Sequence, residues 1–126
     1  MIDVILERKS STQKISVNFR WTEMHCKCIW EDCNFTYITK RALGALEKTR
    51  DEYNKAIIIN SAFRCNRHNE MVGGKPDSNH KYGDAFDLAP KDRRDLDLLE
   101  QIAAKYFYVI RYDTFIHCDK RANKES

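Results

Sequence analysis

Long apolar runs are missing from this 126-residue chain. No segment approaches the ~18 consecutive apolar residues of a membrane-spanning helix, so no membrane insertion is expected. The first residues, MIDVILERKSSTQK, carry charges where a secretory signal would have its apolar core, which predicts synthesis in a cytoplasm without a signal peptide. Four glycines and two prolines exclude collagen-like and low-complexity organisation. Charge of one sign is also scarce, since 22 Lys and Arg against 19 Asp and Glu leave a formal net charge of +3. That excess is compatible with an anionic polymer but forms no basic stripe, and no nucleic-acid partner is expected.

The chain does have an ordinary globular composition, 42% hydrophobic and 33% charged, at a length that suits one domain. Residues 1–121 read as that domain and 122–126 as a solvated tail, with a monomer as the expected state. Ala42, Leu43, Leu46 and Tyr53 recur at helical spacing behind Thr39, a ready N-cap, and predict a helix over 39–53. Leu96, Leu99, Ile102 and Ala103 predict another over 91–105. Residues 56–60, 84–88, 107–111 and 115–119 read as strands, the last two joined by a turn at 112–114. Short connections favour antiparallel pairing, so the expected fold class is α+β, a small antiparallel sheet packed with helices.

Two histidines and one aspartate suggest chemistry. His80 lies in a glycine-containing loop, Asp87 seven positions later in a strand, and His117 in a strand that could pair beside it. Two imidazoles and a carboxylate leave a fourth tetrahedral position open, as expected of catalytic zinc. Taken singly, each residue has a structural explanation: His117 as a core histidine, Asp87 as a turn carboxylate.

The surrounding motifs change the balance. Ser61-Ala62-Phe63-Arg64, His68-Asn69, Val72-Gly73-Gly74, Ser78-Asn79-His80, Gly83, Ala85 and Asp87, then Phe115-Ile116-His117-Cys118-Asp119, occur in order. This pattern resembles the zinc D-alanyl-D-alanine carboxypeptidase and murein endopeptidase family, including its phage-endolysin branch, over roughly residues 17 to 121. The resemblance implies a hedgehog/DD-peptidase-like fold, also called the LAS peptidase fold, with Zn2+ held by His80, Asp87 and His117. The implied activity is hydrolysis of peptidoglycan stem peptides, as a D-Ala-D-Ala carboxypeptidase or an L-Ala-D-Glu type endopeptidase. An endolysin of this kind would act on the cell wall after holin-mediated release.

The resemblance also assigns roles. Arg64 matches the arginine that binds the substrate carboxylate or carbonyl oxygen, where a fixed cation would stabilise the oxyanion. Amide hydrolysis needs a carboxylate to accept a proton from water and return one to the leaving amine. Relatives with Glu or Asp three residues before the last zinc histidine use that group, but here the position is Thr114. Strand alternation puts Asp119 on the face of His117, so Asp119 is the preferred acceptor and Asp113 the reserve. Ser78 and His68 are expected to contact substrate or support the site.

Five cysteines remain, an odd number that cannot all pair within one chain. Cys26, Cys28 and Cys33 cluster in sequence, and Cys65 follows Arg64. Free thiols, a second structural zinc and disulfides are all compatible with the spacing. Cys118 points away from His117 and reads as a small core residue. Two other functions fit parts of the sequence: a hedgehog-like zinc domain that binds without catalysis, suggested by Thr114, and a metal-dependent nuclease, suggested by His68-Asn69-Glu70.

Overall fold

The structure is a computed structural model and describes residues 3–121. The expected tail at 122–126 lies outside the described residues. Two antiparallel sheets and three α-helices form an α+β fold. Strands β1 (Val4–Arg8) and β2 (Phe35–Thr39) make the small sheet. Strands β3 (Ile57–Ser61), β4 (Ala85–Pro90), β5 (Tyr108–Arg111) and β6 (Ile116–Asp119) make the large one, in the order β3-β4-β6-β5. Every neighbouring pair is antiparallel. Among the described residues no helix is long and apolar enough to cross a membrane.

The strands and helices expected from periodicity form within a few residues of their predicted bounds. Helix α1 (Lys40–Tyr53) starts where Thr39 Oγ1 accepts from the Ala42 amide at 3.2 Å and stops at Asn54, whose φ of 58° ends the helical path. The expected helix at 91–105 is shorter. A 3-10 turn at Arg93–Asp95 precedes α3 (Leu96–Ala103), because Asp92 caps the Arg94 amide and holds the entry tight. Two features were not anticipated. The β1–β2 sheet escapes a periodicity reading because β1 depends on pairing rather than on a buried face of its own, and α2 (Asn66–Met71) is too short to show a stripe.

The core lies on one side of the large sheet. Phe86 and Leu88 of β4 and Ile116 and Cys118 of β6 point into it, meeting Leu96, Leu99, Ile102 and Ala103 of α3 and the buried face of α1. Phe86 and Phe107 meet edge to face at 6.2 Å. Burying a side chain of this size is worth roughly 2 kcal/mol, so this layer dominates the stability of the sheet. Because strand side chains alternate, the intervening Asp87, His117 and Asp119 emerge together on the other face. The large sheet thus has an apolar side that makes the core and a polar side that makes a site.

The loop leading into β4 is tied to α1. Asp84 is buried and accepts from Thr39 Oγ1 at 2.6 Å and from both Arg41 Nε and Nη2, at 3.1 and 2.6 Å. Gly83 has φ +69°, and a Cβ there would sit 2.2 Å from the Tyr37 carbonyl oxygen. Only glycine lets this loop lie against β2.

Candidate active site

A cleft of about 650 Å³ opens on the polar face of the large sheet. Its floor carries His80, Asp87, His117 and Asp119, and its walls come from the 72–79 loop on one side and Tyr112 and Phe115 on the other. Those two aromatic rings stack at 4.8 Å, bracing the turn between β5 and β6.

Strand pairing builds the floor. Asp87 of β4 lies directly opposite His117 of β6, and Ala85 opposite Asp119. His80 arrives from a 3-10 turn (Asn79–Tyr82) in which its own amide donates to Ser78 Oγ at 3.3 Å, and Gly83 closes that turn. The result is that His80 Nε2 and His117 Nδ1 each lie 3.1 Å from the same oxygen, Asp87 Oδ1. The far nitrogens are engaged as well. His80 Nδ1 lies 2.7 Å from the Ala62 carbonyl, which can only accept, so that nitrogen carries the hydrogen. His117 Nε2 lies 2.7 Å from Asp119 Oδ2 and donates to it for the same reason.

These outer partners decide what the centre fits. When neutral, both rings turn a lone pair toward Asp87 Oδ1, so three electron-rich atoms face one another and a cation relieves the conflict. The three side chains offer ligand atoms within 4.8 Å of one another. Burial alone works against charge on His117, but its hydrogen bonds to Asp119 and then Asp87 outweigh it and push the imidazole up to about 9. Burial alone would raise the Asp87 carboxyl, yet hydrogen bonds from His117 and His80 hold it well below the usual carboxylate range. The centre therefore attracts positive charge, and its two imidazoles and one carboxylate suit zinc, with a position left open for solvent or substrate.

Arg64 stands beside it, on the segment after β3. Its Nη2 donates to Asp87 Oδ2 at 3.3 Å, Nη1 to Asn69 Oδ1 at 3.2 Å, and Nε to Ser61 Oγ at 3.2 Å. The guanidinium is therefore held on three sides and still lines the cleft. Asn69 in α2 is buried, and its Nδ2 donates to the Lys75 carbonyl at 2.8 Å. It was not singled out from sequence as a site residue, although it stands in the His-Asn motif next to His68.

The structure brings together His80, Asp87, His117, Asp119, Arg64 and Ser78, but not His68 or Asp113. His68 is not among the residues lining the cleft, and it sits one turn from Cys65, whose Sγ accepts from its amide at 3.4 Å. Asp113 is exposed on the β5–β6 turn and also does not line the cleft. Asp119, the preferred proton acceptor from sequence, lines it. It is fully buried, one oxygen accepts from His117, and both are within 3.1 Å of Arg121 Nε. Burial would raise its carboxyl, but His117 and then Arg121 lower it. Arg121, also missed from sequence, stacks on Tyr108 at 3.9 Å and so fixes Asp119 from the far side.

No curated protein matches this chain. A family model described as Peptidase M15, however, matches residues 17–119, a span that contains His80, Asp87, His117, Asp119 and Arg64. The convergent site and a match over most of the chain lead to one conclusion: the protein belongs to the Peptidase M15 family, a family of peptidases.

Proposed function

We propose that this peptidase is zinc-dependent and hydrolyses the stem peptides of bacterial peptidoglycan, as a D-Ala-D-Ala carboxypeptidase or an L-Ala-D-Glu type endopeptidase. The observation that carries the reading is the convergence of His80 Nε2 and His117 Nδ1 on Asp87 Oδ1 in the floor of a cleft that also presents Arg64. Zinc bound there would acidify water and polarise the scissile carbonyl.

The chain's own residues account for the rest. His80, Asp87 and His117 hold the metal, with Ala62 and Asp119 fixing the two ring orientations. Arg64 offers a cation for a substrate carboxylate or for the oxygen that gains charge during amide cleavage. Its fork is oriented before substrate arrives, so little reorganisation is needed. Asp119 acts through His117 as a positioning carboxylate, because both of its oxygens are already engaged. Tyr112 and Phe115 give an apolar wall against which a short peptide can lie. A role as a phage lysis enzyme acting on the wall after holin-mediated release is consistent with this chemistry.

Purified cell walls provide the test. Zinc-loaded wild type is expected to release muropeptides with new termini readable by mass spectrometry, and His80→Ala to release none. Release that persists in both His80→Ala and His117→Ala would overturn the reading. Failure of the zinc-loaded wild type on walls of several chemotypes would favour binding without catalysis.

A further inference from the structure

A second cluster of ligand side chains lies outside the cleft. Cys26 and Cys28, Cys33 shortly before β2, and Cys65 at the N-cap of α2 bring four sulfur atoms within 4.8 Å of one another. The Cys26 and Cys65 sulfurs are 3.7 Å apart. A tetrahedral zinc with Zn–S bonds of about 2.3 Å has S···S edges of about 3.8 Å, so this spacing suits a shared ion. A disulfide would require about 2.05 Å, and none of the four is so bonded.

Hydrogen-bond donors are already aimed at the sulfurs. The Cys65 amide donates to Cys26 Sγ at 3.4 Å, the His68 amide to Cys65 Sγ at 3.4 Å, and Lys9 Nζ to Cys28 Sγ at 3.4 Å. Such donors stabilise thiolates, and the Lys9 ammonium offsets the net negative charge that four thiolates leave on a divalent ion. His25 is not among these clustered ligand side chains, and its Nδ1 lies 3.0 Å from the neighbouring Cys26 carbonyl. Four sulfurs complete a tetrahedron without an open position, as in structural rather than catalytic sites.

We propose that Cys26, Cys28, Cys33 and Cys65 form a closed tetrathiolate site for a structural divalent metal, zinc, which clasps the 26–33 loop to the segment carrying Arg64. Each thiol gives its proton to solvent as its sulfur–metal bond forms. The clasp adds to a junction where Met24 and Cys26 already meet Ala62 and Phe63 in the core. Phe63 donates its amide to the Met24 carbonyl at 3.1 Å, while Arg67 pairs with Asp32 at 2.6 Å and lies over Trp30 at 4.7 Å. The exposed Arg67–Asp32 pair contributes about 1 kcal/mol or less, so beyond the core contacts the metal would be the main tie at the surface end of this junction.

The test uses metal content and cobalt spectroscopy, neither of which depends on peptidase activity. Protein purified under reducing conditions should carry about two zinc equivalents per chain, falling to about one in His80→Ala/His117→Ala and about one in Cys28→Ser/Cys33→Ser. Cobalt-substituted wild type should show the intense near-ultraviolet thiolate-to-cobalt charge-transfer absorption, retained in the histidine variant and lost in the cysteine variant. A cobalt-loaded wild type with five titratable thiols before loading and no such absorption would overturn the proposal. So would four cysteines that resist alkylation until a disulfide reductant is added. If the cysteine variant fails to fold, stoichiometric release of one zinc from wild type by a mercurial that titrates four thiols supports the site, and release of none overturns it.

Discussion

Asn69 Oδ1 receives a hydrogen bond from Arg64 Nη1 at 3.2 Å, and Gly74 lies so close to this pair that a Cβ would fall 2.2 Å from Asn69 Oδ1 and 3.0 Å from Arg64 Nη1. Gly74 of the 72–74 motif thus makes room for the arginine and its partner. Gly73 takes a φ of +76°, and Gly74 leaves room for the Asn69 side chain. Gly74→Ala is expected to displace Asn69 and the guanidinium and to lower kcat/KM on wall peptides by about 10-fold or more, with a lower thermal midpoint from the buried hydrogen bonds of Asn69 that are lost. Arg64→Ala should lose about 10²-fold, and Arg64→Lys should not restore it because an ammonium cannot bridge three partners in a plane. Steady-state kinetics on a defined stem peptide checks both.

Asp119→Asn separates two roles for that carboxylate. As the partner of His117 Nε2 it should set zinc affinity, so the variant is expected to bind zinc about 10- to 100-fold more weakly in a chelator competition and to regain most of its turnover at saturating zinc. Turnover that stays abolished at full zinc occupancy would instead make Asp119 the proton acceptor.

The metal-free centre should show its charge as a pH dependence. His117 has a folded pKa raised to about 9, above the ordinary value of about 6.5. Its contribution to stability is therefore fully present below about pH 6.5 and is lost as pH rises toward 9. The Asp87 and Asp119 carboxyls are lowered, so their contributions are present above about pH 4 and are lost on acidification. Thermal melts of chelator-treated protein should decline on both sides. In His117→Gln the alkaline decline should flatten, and zinc should abolish it in wild type by replacing the proton.

Gly83→Ala tests the junction between the site loop and β2. The new Cβ would meet the Tyr37 carbonyl oxygen at 2.2 Å and the Ile38 Cα at 2.9 Å, in a backbone conformation that alanine already disfavours. A loss of roughly 2–4 kcal/mol in denaturant unfolding is expected, together with weaker zinc binding, because Gly83 ends the turn that carries His80. Asp84→Ala should cost about 2 kcal/mol by removing the acceptor shared by Thr39 and Arg41.

Acid stability also depends on Glu47. Its carboxylate accepts from the Asn18 amide at 2.9 Å and from Asn18 Nδ2 at 2.7 Å. Burial would raise its carboxyl, but the hydrogen bonds from Asn18 and the nearby Arg50 charge help to lower it. That stabilisation exists above about pH 4 and fades below it. Glu47→Gln is expected to cost roughly 1 kcal/mol at neutral pH and to shift the acid unfolding midpoint, measurable by far-ultraviolet circular dichroism.

Helical spacing at Ala42, Leu43 and Leu46, alternation along β6 and the order of motifs from Ser61 to Asp119 were enough to determine the α+β class, the family resemblance and the faces on which His117 and Cys118 lie. These are local properties, since the period of an element and the types of its residues belong to the chain itself. Tertiary structure decided the remainder. Arg121 and His117 occupy both oxygens of Asp119, and α2 carries His68 toward Cys65 rather than into the cleft wall. Asn69 gained a role only because Gly74 folds back against it, and Cys65 joins the sequence cluster of Cys26, Cys28 and Cys33 in space because α2 meets the 26–33 loop. Which partners satisfy a polar group depends on contacts between distant segments, and residue type and spacing alone do not specify those contacts.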